Sequence, residues 1–271
     1  MSFSRRQFVR IVPALGAFTV SAVGATGQEA DGWPSVPPAD GAPRDESFPS
    51  QHPFLVKETV GVSHGNLARV KELVSRQPSL AKASWDWGFG DWETALGAAS
   101  HVGNRPIAEF LIEQGAPPTI FSATMLGQLD VVKAFAAVTP DIHLLVGPHG
   151  IPLLAHARAG GPAAAPVLEF LRSLGPQPSG DRAPLSEDDR STIEGRYAFG
   201  SRPRDAFIVD TDRSQLGITR VGASRRNIFH KGNLEFRPAG APAVRIVFER
   251  AGTQATLTLL DPDIVVTAQK G

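Results

Sequence analysis

No cysteine occurs in the 271 residues of this chain. Its absence excludes disulfides, thiolate metal ligands, a cysteine nucleophile and a cysteine-borne lipid anchor. In an oxidising compartment such a chain holds together by packing alone. Neither sign of charge is in excess, since 27 Lys and Arg are balanced by 27 Asp and Glu. No basic field therefore argues for nucleic acid. The apolar run Ile11–Val23 is too short to span a bilayer, which takes about 20 residues. No acidic residue precedes Glu29.

What that N-terminus does contain is a signal pattern. Arg5 and Arg6, flanked by Ser4 and Phe8, stand ahead of the apolar run, whose length suits the h-region of a signal peptide. Small residues at Ala25 and Gly27 suit cleavage before Gln28, with Ala25-Thr26 as a second boundary. The arginine pair resembles a twin-arginine export signal, which implies a bacterial protein exported already folded. A general secretory signal that contains Arg-Arg is the other reading. Both expect residues 1–27 to be removed and the mature chain to be periplasmic or secreted, without a membrane span. Loss of Arg5, Arg6 and Arg10 leaves a net charge of about −3.

Residues 28–52 are rich in proline, glycine and acid, with little apolar periodicity, and read as a disordered tether. From residue 53 to 175 the pattern turns helical and repeats. Thr94–Ala116 holds two short helical stretches joined at Gly103 and closed by Gly115-Ala116. Neighbours of the same kind surround it: Gly65–Val74 before, Gly127–Phe135 after, and Val167–Leu171 ending at Gly175. A unit of this size cannot bury its apolar face alone, so stacking is implied. Leu67, Val70, Leu73 and Val74 share one helical face, as do Ile107, Phe110 and Leu111. Thr94 is placed to cap the first helix of its repeat.

This segment resembles the ankyrin repeat. The junction glycines Gly65, Gly103, Gly127 and Gly161 are 38, 24 and 34 residues apart. The family period is about 33, so the array has about four irregular repeats. Where the family has Pro-Leu-His after the threonine, this chain has Ala95-Leu96-Gly97, and the cross-repeat histidine is missing. Pro148–Leu154 is a second repeat start. The resemblance implies a scaffold for a protein or peptide partner, without catalysis of its own.

A breaker cluster from Pro176 opens a linker, 176–188, and the period then becomes two. Eight short strands are expected between 196 and 269, with turns at Asp212–Ser214, Lys231–Asn233 and Ala251-Gly252. An antiparallel meander closing into a small barrel or half-barrel over 189–271 follows. With Tyr197–Gly200, Phe236–Pro238 and Leu260–Asp263, this tail resembles the accessory β-domain of serine β-lactamase-like hydrolases. That resemblance implies a non-catalytic module.

No catalytic constellation is supported. Gly61-Val62-Ser63-His64-Gly65 fits G-x-S-x-G, but the residues before it carry no strand signal and no oxyanion-hole glycines follow. Ser79–Lys82 fits S-x-x-K without a Lys-Thr-Gly elsewhere. His143, His149 and His156 lie close in sequence, yet their spacing matches no metal motif and the nearest acid is Asp141. His149 reads as a turn residue and His156 as packed in its helix. No metal and no cofactor are expected. Arg196, Arg202, Arg204, Arg220, Arg225 and Arg226 either favour an anionic ligand, held in the β-domain or the interdomain cleft, or form a solvated face.

The functional interest falls on the loop Trp85–Trp92, which holds three of the four tryptophans. Trp85, Asp86, Trp87, Phe89, Asp91 and Trp92 are the candidate partner-binding residues, combining apolar anchors with polar orientation. The alternative is that the loop folds back and its aromatics cap the helical stack or dock on the β-domain.

Overall fold

The computed structural model describes residues 49–176, 182–252 and 254–271. The expected signal peptide and residues 28–48 of the expected tether lie outside them. Among the described residues, eight α-helices form four pairs: α1 (Pro53–Val62) with α2 (Leu67–Arg76), α3 (Ala95–His101) with α4 (Arg105–Glu113), α5 (Ile120–Met125) with α6 (Leu129–Val138), and α7 (Leu153–Ala159) with α8 (Ala165–Ser173). The first helices of the pairs pack in succession, α1 on α3, α3 on α5 and α5 on α7.

Local chemistry sets these helices. Asn66 and Asn104 cap the second helices of their pairs by accepting from the amides of Arg69 and Ile107. Thr94 Oγ1 accepts from Gly97 N at 2.8 Å and starts α3, as its position predicts. Val70, Leu73, Val74, Ile107, Leu111, Val132, Val167 and Leu171 are all but inaccessible, so each second helix buries one stripe. Gly103 ends α3 at φ +77°, and a Cβ there would sit 2.1 Å from the Ala159 carbonyl oxygen. Only glycine lets the pairs approach that closely.

Two strands, β1 (Ser84–Asp86) and β2 (Trp92–Thr94), make an antiparallel hairpin between the first and second pairs. A further helix, α9 (Glu187–Ile193), begins inside the segment expected as linker, 176–188, of which residues 177–181 lie outside the described ones, and runs into the segment expected as β-domain. Then come eight strands: β3 (Gly195–Ala198), β4 (Ala206–Asp212), β5 (Gln215–Arg220), β6 (Arg226–Gly232), β7 (Glu235–Pro238), β8 (Arg245–Ala251), β9 (Gln254–Asp261) and β10 (Ile264–Lys270). They pair antiparallel in chain order, and β10 returns to β3 to close a barrel. Closure leaves the barrel without a sheet edge. The alternation that predicts the strands also fills the interior: Ile246 and Phe248 on β8 and Ala255, Leu257 and Leu259 on β9 are buried.

The two ends of the barrel are closed differently. At one, Ile193 of α9 joins the barrel core and the Tyr197 hydroxyl donates to its carbonyl at 2.7 Å. Arg190 of the same helix reaches Thr211 near the end of β4. At the other, Phe89 from the hairpin tip borders a cavity with Phe207, Ile218 and Arg220, near the start of β4. The hairpin thus belongs to both halves of the molecule.

Gly103→Ala is expected to destabilise the chain by about 2 kcal/mol or more, because it adds a clash to a left-handed backbone. Gly65→Ala, with no neighbour within 4 Å of a new Cβ, is expected to stay within about 0.5 kcal/mol of wild type. Urea denaturation of the two variants checks this; equal losses would show that the close approach to Ala159 carries no weight.

Candidate functional site

The hairpin tip is built to reach. Gly88, Phe89 and Gly90 all have positive φ, at 111°, 60° and 73°. Two glycines accept that conformation freely, whereas Phe89 gives up about 1–2 kcal/mol, which packing its ring on the barrel core offsets. The Asp86 carboxylate accepts from Gly88 N at 2.7 Å and Trp87 N donates to the Asp91 carbonyl at 3.1 Å, which fixes the turn.

Asp91 emerges from this turn with a nearly inaccessible side chain. Its Oδ1 accepts from the His149 backbone N–H at 2.8 Å, and its Oδ2 accepts from His149 Nδ1 at 2.6 Å. Arg226, at the start of β6, donates Nη1 to the same Oδ2 and to the Ala239 carbonyl at 2.9 Å. Gly240 closes the contact: a Cβ at its φ of +74° would lie 2.6 Å from the Asp91 carboxyl. The carboxylate therefore ties the hairpin to a turn of the helical half and to the barrel.

Two residues on, Glu93 is fully inaccessible and gathers imidazoles. His149 Nε2 approaches its Oε2 at 3.4 Å, His64 Nε2 at 3.8 Å, and His101 Nδ1 approaches its Oε1 at 3.2 Å. The His101 approach has the distance of an ion pair but not the alignment of a hydrogen bond, so both of those buried atoms lack a hydrogen-bond partner. Trp87 Nε1 donates to Glu93 Oε2 at 2.7 Å. One ligand atom from each of His64, Glu93, His101 and His149 lies within 4.8 Å of the other three, so these four residues could hold a metal ion. They come from the end of α1, β2, the end of α3 and the 3-10 turn Pro148–Gly150.

The electrostatics are those of a buried charge cluster. Burial by itself would raise Asp91 and Glu93. The donors from His149 and Arg226 to Asp91, and the His101 and His149 imidazoles beside Glu93, outweigh it and bring each down to about 2. Burial would lower His149, but its bonds to Asp91 and Glu93 raise it to about 9. His156, fully inaccessible and with neither ring nitrogen hydrogen-bonded, is lowered to about 4, first by burial and then by His101.

Above the cluster is a cleft of about 410 Å³ between the two halves, lined by His64, Trp87, His149, Ile151, Ser224 and Arg226 among others. Among the described residues, the Arg226 guanidinium hydrogen-bonds only through Nη1. Arg225 is committed to Asp210, Asn227 and the Gln215 carbonyl.

The residues singled out from the sequence divide accordingly. Trp85, Asp86, Trp87 and Phe89 are half-buried, Asp91 is buried, and Trp92 is 62% exposed. Phe89 packs against the barrel core, and Asp91 is bonded to Arg226 of β6. Of the six arginines, only Arg226 is buried; Arg196, Arg202, Arg204 and Arg220 are exposed. His149 and His156 occupy a turn and a helix, as their local sequence implies, whereas His143 lies against Gly175. The acid that meets His149 is not Asp141, the nearest in sequence, but the distant pair Asp91 and Glu93. His64, Glu93 and His101 were not singled out as ligands. Ser63 donates its Oγ to the Thr59 carbonyl at the end of α1, where no strand precedes it.

The shifts fix a pH profile for the metal-free chain. Asp91 and Glu93 contribute stability above their ordinary values of 3.8 and 4.5 and lose it as pH falls toward 2. Between about 4 and 6.5 the unfolded chain binds the His156 proton that the folded chain refuses, so stability rises with pH. His149 contributes fully below 6.5 and loses its contribution as pH climbs to about 9. Melting temperature with a chelator present is expected to peak near pH 6.5. His149→Gln should flatten the alkaline limb and His156→Gln the limb between 4 and 6.5; an unchanged alkaline limb in His149→Gln would refute the assignment.

No family model matches this chain, and no curated protein matches it either.

Proposed function

We propose that the chain is an exported ankyrin-type repeat protein that binds a small anionic organic molecule in the cleft between its helical half and its barrel. The ankyrin reading is supported by the helix pairs, their junction glycines and the Thr94 cap. Export rests on Arg5, Arg6 and the apolar run after them. The single observation that carries the binding site is the cleft itself. It has polar and apolar walls, and in it a nearly buried guanidinium keeps donors that no described residue uses. The hairpin that would serve as a free recognition finger is instead engaged with the barrel through Phe89 and Asp91.

A protein or peptide partner is the second reading, favoured by Trp92, which stands exposed beside the docked tip, and by Val131, Phe135 and Val138, exposed on α6.

For the cleft, a thermal-shift screen of the mature chain against small carboxylates and phosphates is expected to give saturable stabilisation. Ligand at 100 times its Kd adds about 2.7 kcal/mol. Ser224→Trp, which fills the exposed rim of the cleft, should fold normally and lose that response; an equal response in the variant would move the ligand elsewhere. For the partner, the chain with its own N-terminus should appear in a periplasmic extract and stay in the cytoplasm when Arg5 and Arg6 are both lysine. A protein co-purifying from that extract should be lost with Trp92→Ala, and its retention at wild-type affinity would count against this surface.

A further inference from the structure

We infer that His64, Glu93, His101 and His149 form a binding site for a divalent transition metal of the zinc class. This site is distinct from the anion reading of the cleft above it and does not require it.

The donor set is the first argument. Three imidazole nitrogens and one carboxylate suit zinc and its first-row neighbours, whereas calcium and magnesium take oxygen ligands. The four ligand atoms already lie within 4.8 Å of one another. Drawing them to a metal at about 2.0–2.2 Å takes movements on the order of an ångström.

The orientation of the rings is the second. His64 Nδ1 sits 2.9 Å from the Gly61 carbonyl, so that nitrogen carries the proton and Nε2 turns its lone pair toward Glu93. His149 Nδ1 donates to the Asp91 carboxylate and likewise leaves Nε2 facing Glu93. A carbonyl or carboxylate behind each ligating imidazole is how metal sites fix tautomer and ring angle. Trp87 Nε1 orients the Glu93 carboxylate in the same manner.

The third argument is what remains unsatisfied. Glu93 Oε1 and His101 Nδ1 are both buried, face one another at 3.2 Å, and have no hydrogen-bond partner. Buried polar atoms seldom stay so without a water or an ion. A cation between them satisfies both at once. His101 and Glu93 form the covered side of the site, while His64 and His149 border the cleft, which supplies the entry path and a side open to an incoming ligand. Arg226, tied to Asp91, brings its guanidinium to the same cleft.

The test uses the full chain without a histidine tag, stripped with chelator and titrated with Zn²⁺ by calorimetry, then with Co²⁺ by visible absorption. One Zn²⁺ per chain is expected, with a raised melting temperature, and Co²⁺ should show the intense ligand-field bands of a four- or five-coordinate nitrogen-oxygen site. His101→Ala, His149→Ala and Glu93→Gln should each weaken Zn²⁺ binding by at least about 100-fold, and Asp91→Asn by about 10–100-fold through His149. His143→Ala, outside the cluster, should bind as wild type. Folded wild-type chain that takes up neither metal below millimolar concentration would overturn the site, as would the weak spectrum of hydrated Co²⁺. Should the cluster variants fail to fold, the wild-type Co²⁺ spectrum still decides. Zn²⁺ uptake without any response to carboxylates or phosphates would uphold the metal site and sink the anion reading alone.

Discussion

Burying the Asp91 carboxylate between a stack of helices and a barrel would cost several kcal/mol if it were left unpaired. The structure supplies three donors from two sides: the backbone and ring of His149 from the helical half, and the guanidinium of Arg226 from the barrel. Gly240, whose lack of a side chain admits the carboxyl, completes the seat. Because Asp91 orients His149, and His149 faces Glu93, the same contact that holds the two halves together also sets the geometry of the histidine cluster. A change at Asp91 is therefore felt in the interface and in the cluster together.

Stability does not account for this arrangement. Replacing a buried ion cluster with well-packed apolar residues is often neutral or favourable, whereas removing one member alone costs about 3–5 kcal/mol. An interface built on Asp91, His149 and Arg226 is thus harder to maintain than one built on leucines, and the apolar part of the docking already exists in Phe89. The charges converge beside a cleft, and two of the imidazoles open onto it. Perturbed ionisable groups gathered at a cavity are the usual mark of a site that binds or transforms something.

Much of the architecture was legible in the sequence, because it follows from local rules. The junction glycines mark where the first helix of each pair ends, and Gly103 does so for a reason that shows in its contact with Ala159. All eight barrel strands follow from period-two alternation and turn residues, although closure of β10 onto β3 does not, being a pairing between distant segments. The cluster was not legible. His64, Glu93, His101 and His149 match no spacing motif, and each has an ordinary local role at a helix end, in a short strand or in a turn.

A signal was nonetheless present, in the repeat and not in any motif. His64 stands one residue before Gly65 and His101 two before Gly103, so both follow or finish the first helix of their pair. Stacking brings the ends of successive first helices together, and the two rings lie 4.9 Å apart between centroids. His64 and His101 stand at the edge where the hairpin delivers Glu93. In a stack of helix pairs, chemistry is thus better sought by comparing where successive first helices end, and what the connecting segments deliver there, than by scanning along the chain.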